Sequence, residues 1–140
     1  MTLYSLTNAA GAAWFFDATS PTEALLALHV DAGYDGAVWI EDGRLAFRDD
    51  ETRDLLGDVD RWTIAEAATL AVDEENAGAT WWDAVYEADD IPAAMRQMVY
   101  GRASSIPVHA ADLPDLLQWC ASLPGWNDGP AYAPHPLTVR

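Results

Sequence analysis

The single cysteine and the three histidines are the residues with the most direct chemical use, as nucleophile, base or metal ligand. His109 precedes the predicted helix that carries Cys120, so a thiol and a base for nucleophilic catalysis stand in neighbouring elements. Cys120 also falls on the apolar side of that helix, where a small buried hydrophobic residue is the ordinary interpretation. We expect His29 at the boundary of the core and His135 in solvent. Because the histidines are far apart in the sequence, we expect no metal ion, and no motif indicates a cofactor.

Acidic residues form several adjacent pairs, such as Asp49-Asp50 and Asp89-Asp90, and hydrolysis of a glycosidic or phosphodiester bond would need two carboxylates. With 23 acidic residues, however, neighbours arise by chance, and adjacent side chains point to different faces of a helix or strand. The sequence also lacks the nucleophile elbow, the phosphate-binding loop, the dinucleotide fingerprint and the zinc-protease motif. We therefore predict a non-catalytic protein. A small enzyme with scattered carboxylates or a Cys-His pair is an alternative.

The net charge is the most unusual property of the chain. It has 23 acidic residues against seven Arg and no Lys, which gives −16 at pH 7. Such a charge argues against direct binding of nucleic acid or of an anionic membrane. Three explanations remain open at this point: adaptation to high salt, a genome that favours Arg and Ala over Lys, and an acidic surface that meets a basic partner.

The distribution of charge is more specific than its total. Between Arg61 and Arg96 the sequence has eight acidic residues and no basic one. On a helix, Asp83 and Glu87 would stand four residues apart, where like charges destabilise by about 0.2–0.5 kcal/mol, so folding stability does not favour the arrangement. A basic partner would favour it, because an acidic field accelerates association.

Aromatic residues accompany these acids and suit an interface in which rings anchor and charges steer. For Trp81 and Trp82, packing in the core is the alternative interpretation. The predicted partner is a basic protein surface. The predicted partner-binding residues are Glu66, Asp73, Glu74, Glu75, Trp81, Trp82, Asp83, Glu87, Asp89 and Asp90.

The sequence predicts an α+β fold that would position these residues. It consists of two β-hairpins in an antiparallel sheet, packed by a capped N-terminal helix and followed by a mainly helical second half. A length of 140 residues suits one domain. We predict a single compact domain over residues 1–125 and a C-terminal tail, punctuated by Pro and Gly, over residues 126–140.

Turn and capping residues set the boundaries in the first half of the chain. Hairpin turns are predicted at residues 8–11 and 41–43. Ser20 and Glu23 have the spacing of a capping box, in which each side chain accepts a hydrogen bond from a backbone N–H that the helix leaves unpaired. Pro21 takes the first helical position, where its missing N–H costs nothing. These signals predict a helix that begins directly after Ser20.

The second half carries mainly helical signals. A second capping box, at residues 63–66, begins the first of three helices predicted over residues 64–101. Pro107 marks an edge strand or loop, because proline cannot donate to a sheet ladder. A last helix is predicted over residues 113–123, with Asp112 at its start.

Targeting signals are sparse in this sequence. No apolar run approaches the roughly 18 residues that span a bilayer. The first residues lack the basic and apolar regions of a signal peptide, and a lone Cys120 has no partner for an internal disulfide. We therefore expect a cytoplasmic protein that does not bind membranes.

The start of the chain resembles that of many short phage and bacterial proteins: a strand, a turn, a strand and a helix, in which Ala18-Thr19-Ser20-Pro21-Thr22-Glu23-Ala24-Leu25 runs on to Asp31-Ala32-Gly33-Tyr34. With its small size and acidity, the chain is similar to the anti-CRISPR and anti-restriction proteins that imitate nucleic acid. The resemblance implies an inhibitor that occupies the basic nucleic-acid-binding surface of a host defence protein. An immunity protein or antitoxin that covers a basic toxin is the alternative.

Overall fold

The computed structural model describes residues 1–57, 61–72, 74–126 and 132–133, and it confirms the α+β class. The elements in chain order are β1 (Thr2–Asn8), β2 (Ala13–Ala18), α1 (Pro21–Asp31), β3 (Val38–Glu41), β4 (Arg44–Phe47), α2 (Asp50–Leu56), β5 (Trp62–Ala71), α3 (Glu74–Glu87), α4 (Ala93–Gly101), β6 (Ser105–His109), α5 (Leu113–Ser122) and β7 (Tyr132–Ala133). All strand pairs between these elements are antiparallel.

The described residues group into two compact units. Those up to Glu66 form the N-terminal unit, and those from Ala67 onward form the C-terminal unit, so that β5 contributes to both. The predicted organisation, one domain over residues 1–125 and a tail over 126–140, stays a prediction. Most of that tail lies outside the described residues.

Both predicted hairpins are present in the N-terminal unit. In the first, β1 pairs with β2, and the Asn8 side-chain oxygen accepts hydrogen bonds from the backbone N–H groups of Ala10 and Ala12, at 3.1 Å each. The second hairpin turns through Asp42 and Gly43, whose φ angles of 51° and 75° suit a two-residue hairpin turn. It forms a two-stranded sheet of its own, whereas β1 pairs also with the first half of β5.

The helix α1 begins as its capping residues predict. Ser20 Oγ accepts a hydrogen bond of 3.2 Å from the Glu23 N–H, and Pro21 stands in the first turn. The Glu23 carboxylate accepts from both the backbone N–H and the hydroxyl of Thr19, one residue before the position that a standard capping box would use. These hydrogen bonds lower the pKa of Glu23. Leu25 and Leu28 of this helix are buried in the core of the N-terminal unit.

The prediction of a helix that begins at residues 63–66 is wrong, because this segment belongs to the strand β5. The first half of β5 pairs with β1, from Tyr4 opposite Glu66 to Asn8 opposite Trp62. Hydrogen bonds to a strand some sixty residues earlier in the chain outweigh the local helix preference of an Ala-rich segment. A capping box reports only local preference, so it does not reveal such a partner.

The second half of β5 belongs to the C-terminal unit, where it pairs with β6 and β7 to form a sheet. Pro107 lies in β6 opposite Thr69, which confirms the predicted extended segment. The helices α4 and α5 confirm the predictions for these parts of the chain. Their buried side chains, among them Met95, Met98 and Leu116, pack with α3 into the core of this unit.

Candidate functional site

The helix α3 carries the central part of the predicted binding segment. Gly78 interrupts this helix with φ 65° and ψ 171°, a conformation that glycine adopts at little cost, and the following residues form a second helical stretch up to Glu87. In this stretch, side chains four residues apart lie in rows along the helix surface, and three such rows are adjacent. Trp81 and Val85 are fully buried, Trp82 is half-buried beside the exposed Tyr86, and Asp83 and Glu87 are exposed.

Trp81 belongs to the core, which was the alternative interpretation of its sequence position. Its side chain is 0% exposed, and its ring centroid lies 4.9 Å from that of Trp82 and 4.8 Å from that of Trp126. Its indole N–H donates a hydrogen bond of 2.8 Å to the backbone carbonyl of Cys120. A partner protein therefore cannot contact Trp81 in this conformation, whereas Trp82 and Tyr86 remain accessible.

Four of the predicted acids come together at the end of α3 and directly after it. We call Asp83, Glu87, Asp89 and Asp90 the acidic segment, and all four are exposed. None of them is in an ion pair among the residues that the structure describes. The ion pairs found there, Arg48–Asp49 and Arg53–Asp50, lie in the N-terminal unit. The acidic segment is therefore a concentration of exposed negative charge without an internal counter-charge in the described chain.

The other predicted acids are not joined to this segment by the structure. Glu66 is exposed on β5 in the N-terminal unit. Asp73 lies outside the described residues. Glu74 and Glu75 begin α3, but their side chains are outside the described part. A continuous acidic surface over the whole interval therefore stays a prediction.

A cleft of about 280 Å³ lies beside the aromatic row of α3, and sequence reasoning missed it. Its lining includes Val72, Trp82, Tyr86, Met98, Arg102 and Ser104. These residues come from the position directly after β5, from α3, and from α4 with the residues that follow it. The spacing of Trp82 and Tyr86 was an available signal, but Arg102 stands sixteen residues further along the chain. Only the packing of these elements brings Arg102 and the two aromatic residues to one cleft.

Cys120 is fully buried, as its position on the apolar side of α5 predicts. Burial raises the pKa of its thiol to about 12, so it is protonated at neutral pH. A nucleophilic cysteine needs the opposite environment, one that is partly exposed and lowers the pKa. The structure therefore supports the interpretation of Cys120 as a small core residue.

His29 is more deeply buried than its sequence position predicts. Its side chain is 1% exposed, not at the core boundary, and neither ring nitrogen has a hydrogen-bond partner among the residues that the structure describes. The ring lies 6.4 Å from that of Trp62, in an edge-to-face arrangement. Desolvation lowers the pKa of His29, which favours the neutral imidazole.

Metal-binding geometry is not found in the part of the chain that the structure describes. There, no three or more His, Cys, Asp or Glu side chains are grouped so that they could hold an ion. Over the same residues, no helix combines the length and the apolar character needed to cross a bilayer.

Comparisons with known proteins add no family assignment. No protein-family model matches the chain, and no curated protein or solved structure is significantly similar to it.

Proposed function

We propose that this protein is a non-catalytic inhibitor that binds the basic surface of a nucleic-acid-handling defence protein. It thereby prevents nucleic acid from binding to that surface. The acidic segment is the proposed contact. The observation that carries this proposal is the exposure of four carboxylates within residues 83–90, none of them in an ion pair among the described residues. The net charge of −16 supports the same class of partner.

The acidic charges interact differently in the free protein and in its complex. In the free protein, Asp83 and Glu87 repel each other across one helical turn, which costs about 0.2–0.5 kcal/mol. Near a basic surface the same field steers the encounter and raises the association rate by roughly 10–10³-fold. At physiological salt this field extends over about 8 Å, so the proposed contact depends on close approach of the acidic segment.

Accessible rings next to the acids supply the second component that an interface needs. Tyr86 is 57% exposed, and its ring centroid lies 6.3 Å from that of the half-buried Trp82. Tyr and Trp are among the residues that contribute most binding energy at protein interfaces, mainly by slowing dissociation. The proposal therefore assigns the association rate to the carboxylates and the lifetime of the complex to the rings.

The experiment compares two variants that lose the same charge at different places. The test variant replaces Asp83, Asp89 and Asp90 by Asn and Glu87 by Gln. The matched control carries Asp31→Asn, Asp35→Asn, Asp54→Asn and Glu41→Gln, all at exposed positions of the N-terminal unit. Because the acidic segment is self-repulsive, the test variant should keep or raise the thermal midpoint.

Tagged wild-type protein is used to capture its partner from cells of its source, and the purified partner is then studied by surface plasmon resonance. We expect the test variant to associate at least about tenfold more slowly than the control, with a weaker salt dependence. The wild type should also displace DNA or RNA from the partner. Equal association rates of the two variants, or a complex that still binds nucleic acid, would contradict the proposal. A captured toxin, neutralised without such competition, would favour the immunity-protein alternative.

A further inference from the structure

The cleft beside α3 differs in chemistry from the rest of this acidic chain. None of its described lining residues is acidic, although the chain has 23 acidic residues. The charged residue among them is Arg102, one of only seven basic residues. The cleft therefore presents a positive group in a protein whose overall field is strongly negative.

Arg102 is available to a ligand. Its side chain is exposed, and it is in no ion pair among the described residues. It ends α4 in the left-handed region, at φ 55° and ψ 33°, which disfavours every residue with a side chain except, to a smaller degree, Asn and Asp. Glycine would end the helix with less strain, and the local benefit of an arginine here is its positive charge at the helix C-terminus.

The remaining lining sets the shape and polarity of a ligand. Val72 and Met98 are buried and apolar, whereas Trp82 and Tyr86 present two rings inclined by 37°. Aromatic faces favour a flat, apolar group, and methionine accommodates its edge. A volume of about 280 Å³ is just below the usual range of small-molecule sites, which suits a single ring better than a nucleotide.

We propose that this cleft binds a small aromatic carboxylate, with the ring against Trp82 and Tyr86 and the carboxylate on the guanidinium group of Arg102. Arginine holds a carboxylate through two parallel N–H donors, which fixes the orientation of the ring. Ser104 is a further lining residue whose side chain carries a hydrogen-bond donor. The cleft shares Trp82 and Tyr86 with the proposed protein contact but has no member of the acidic segment among its described lining residues, so ligand binding is tested without the protein partner.

Three matched probes test this assignment by titration calorimetry: phenylacetate, the neutral phenylacetamide and the cationic phenethylamine. They share one ring and one side-chain length and differ in charge. We expect phenylacetate to bind roughly tenfold more tightly than the amide, which corresponds to about 1.4 kcal/mol, and the amine to bind least. If the overall field of the protein decided binding, the amine would bind best, and that order would overturn the proposal.

Single substitutions test whether the ligand binds in this cleft, and they distinguish the contribution of the Arg102 charge from that of the Trp82 ring. Arg102→Gln should reduce the preference for phenylacetate over the amide to about twofold or less, while Trp82→Leu should weaken both ligands by a similar factor. Arg53→Gln, which removes the same charge in the N-terminal unit, should leave both affinities unchanged. Because Arg102 is exposed, its substitution leaves the core intact even if Trp82→Leu disturbs folding. Undetectable phenylacetate binding at roughly 10 mM, or an unchanged preference in Arg102→Gln, would overturn the assignment.

Discussion

The indole N–H of Trp81 donates a hydrogen bond of 2.8 Å to the backbone carbonyl of Cys120, so the end of α5 is tied to the fully buried row of α3. Both side chains are 0% exposed. This contact joins two elements of the C-terminal unit that are almost forty residues apart in the sequence.

Trp81→Phe should therefore destabilise the protein more than Trp82→Phe, the same substitution at the adjacent tryptophan. The change removes a donor to a buried carbonyl and leaves a cavity, and together these should lower the free energy of unfolding by about 2–4 kcal/mol. Trp82→Phe, at the half-buried neighbour, should cost less than about 1.5 kcal/mol. Chemical denaturation of both variants measures the difference. Equal losses would contradict the structural role of the Trp81 hydrogen bond.

Gly125 is expected to tolerate no side chain. Its φ is +83°, and an added Cβ would lie 2.8 Å from the backbone nitrogen of Trp81 and 2.9 Å from Thr80 Cβ. Gly11→Ala is the matched control, because Gly11 has a φ of +85° and open space around the same position. We expect a loss of about 1 kcal/mol in the control and of about 2–4 kcal/mol in Gly125→Ala, measured by thermal unfolding. A similar loss in both would show that backbone strain alone, without the close contact, determines the effect.

Stability should fall as the pH is lowered through the titration range of His29. Its folded-state pKa lies below the ordinary value of 6.5, so below that pH the unfolded chain binds a proton that the folded protein excludes. The folded state therefore loses stability as the pH falls from about 7 towards 5. His29→Leu removes the buried imidazole and should flatten this part of the pH profile, with equal or higher stability at pH 7. An unchanged slope in the variant would assign the pH dependence to other groups.

Cys120 should react slowly with thiol reagents while the protein is folded. A buried thiol with a pKa of about 12 has almost no thiolate at neutral pH and no access to the reagent. Labelling should therefore require opening of the core and be roughly 10³-fold or more slower than in the denatured chain. The measurement is labelling followed by mass spectrometry, with the denatured protein as control. Rapid labelling of the native protein would instead support a reactive cysteine.

Local sequence signals were sufficient where an element depends on its own residues. Ser20 and Pro21 start α1 because the cap and the proline act within one turn. Asp42 and Gly43 close the second hairpin because this turn needs two positive φ angles. The exposure of the acidic segment was likewise predictable, since Asp and Glu are almost never fully buried unless paired, and its four members are exposed.

The tertiary structure alone decided features that depend on residues far apart in the chain. Residues 63–66 have the pattern of a helix start but form part of β5, because the ladder with β1 satisfies backbone groups over a whole strand and a capping box satisfies only two. Adjacent residues point to different faces of a helix, and only the packing around α3 decides that Trp81 is buried in the core and that Trp82 lines the cleft. Charge, helix caps and turns depend on residues close together in the sequence, so they can be predicted from it. Strand pairing and the lining of a cleft depend on which distant segments pack together, so only the tertiary structure determines them.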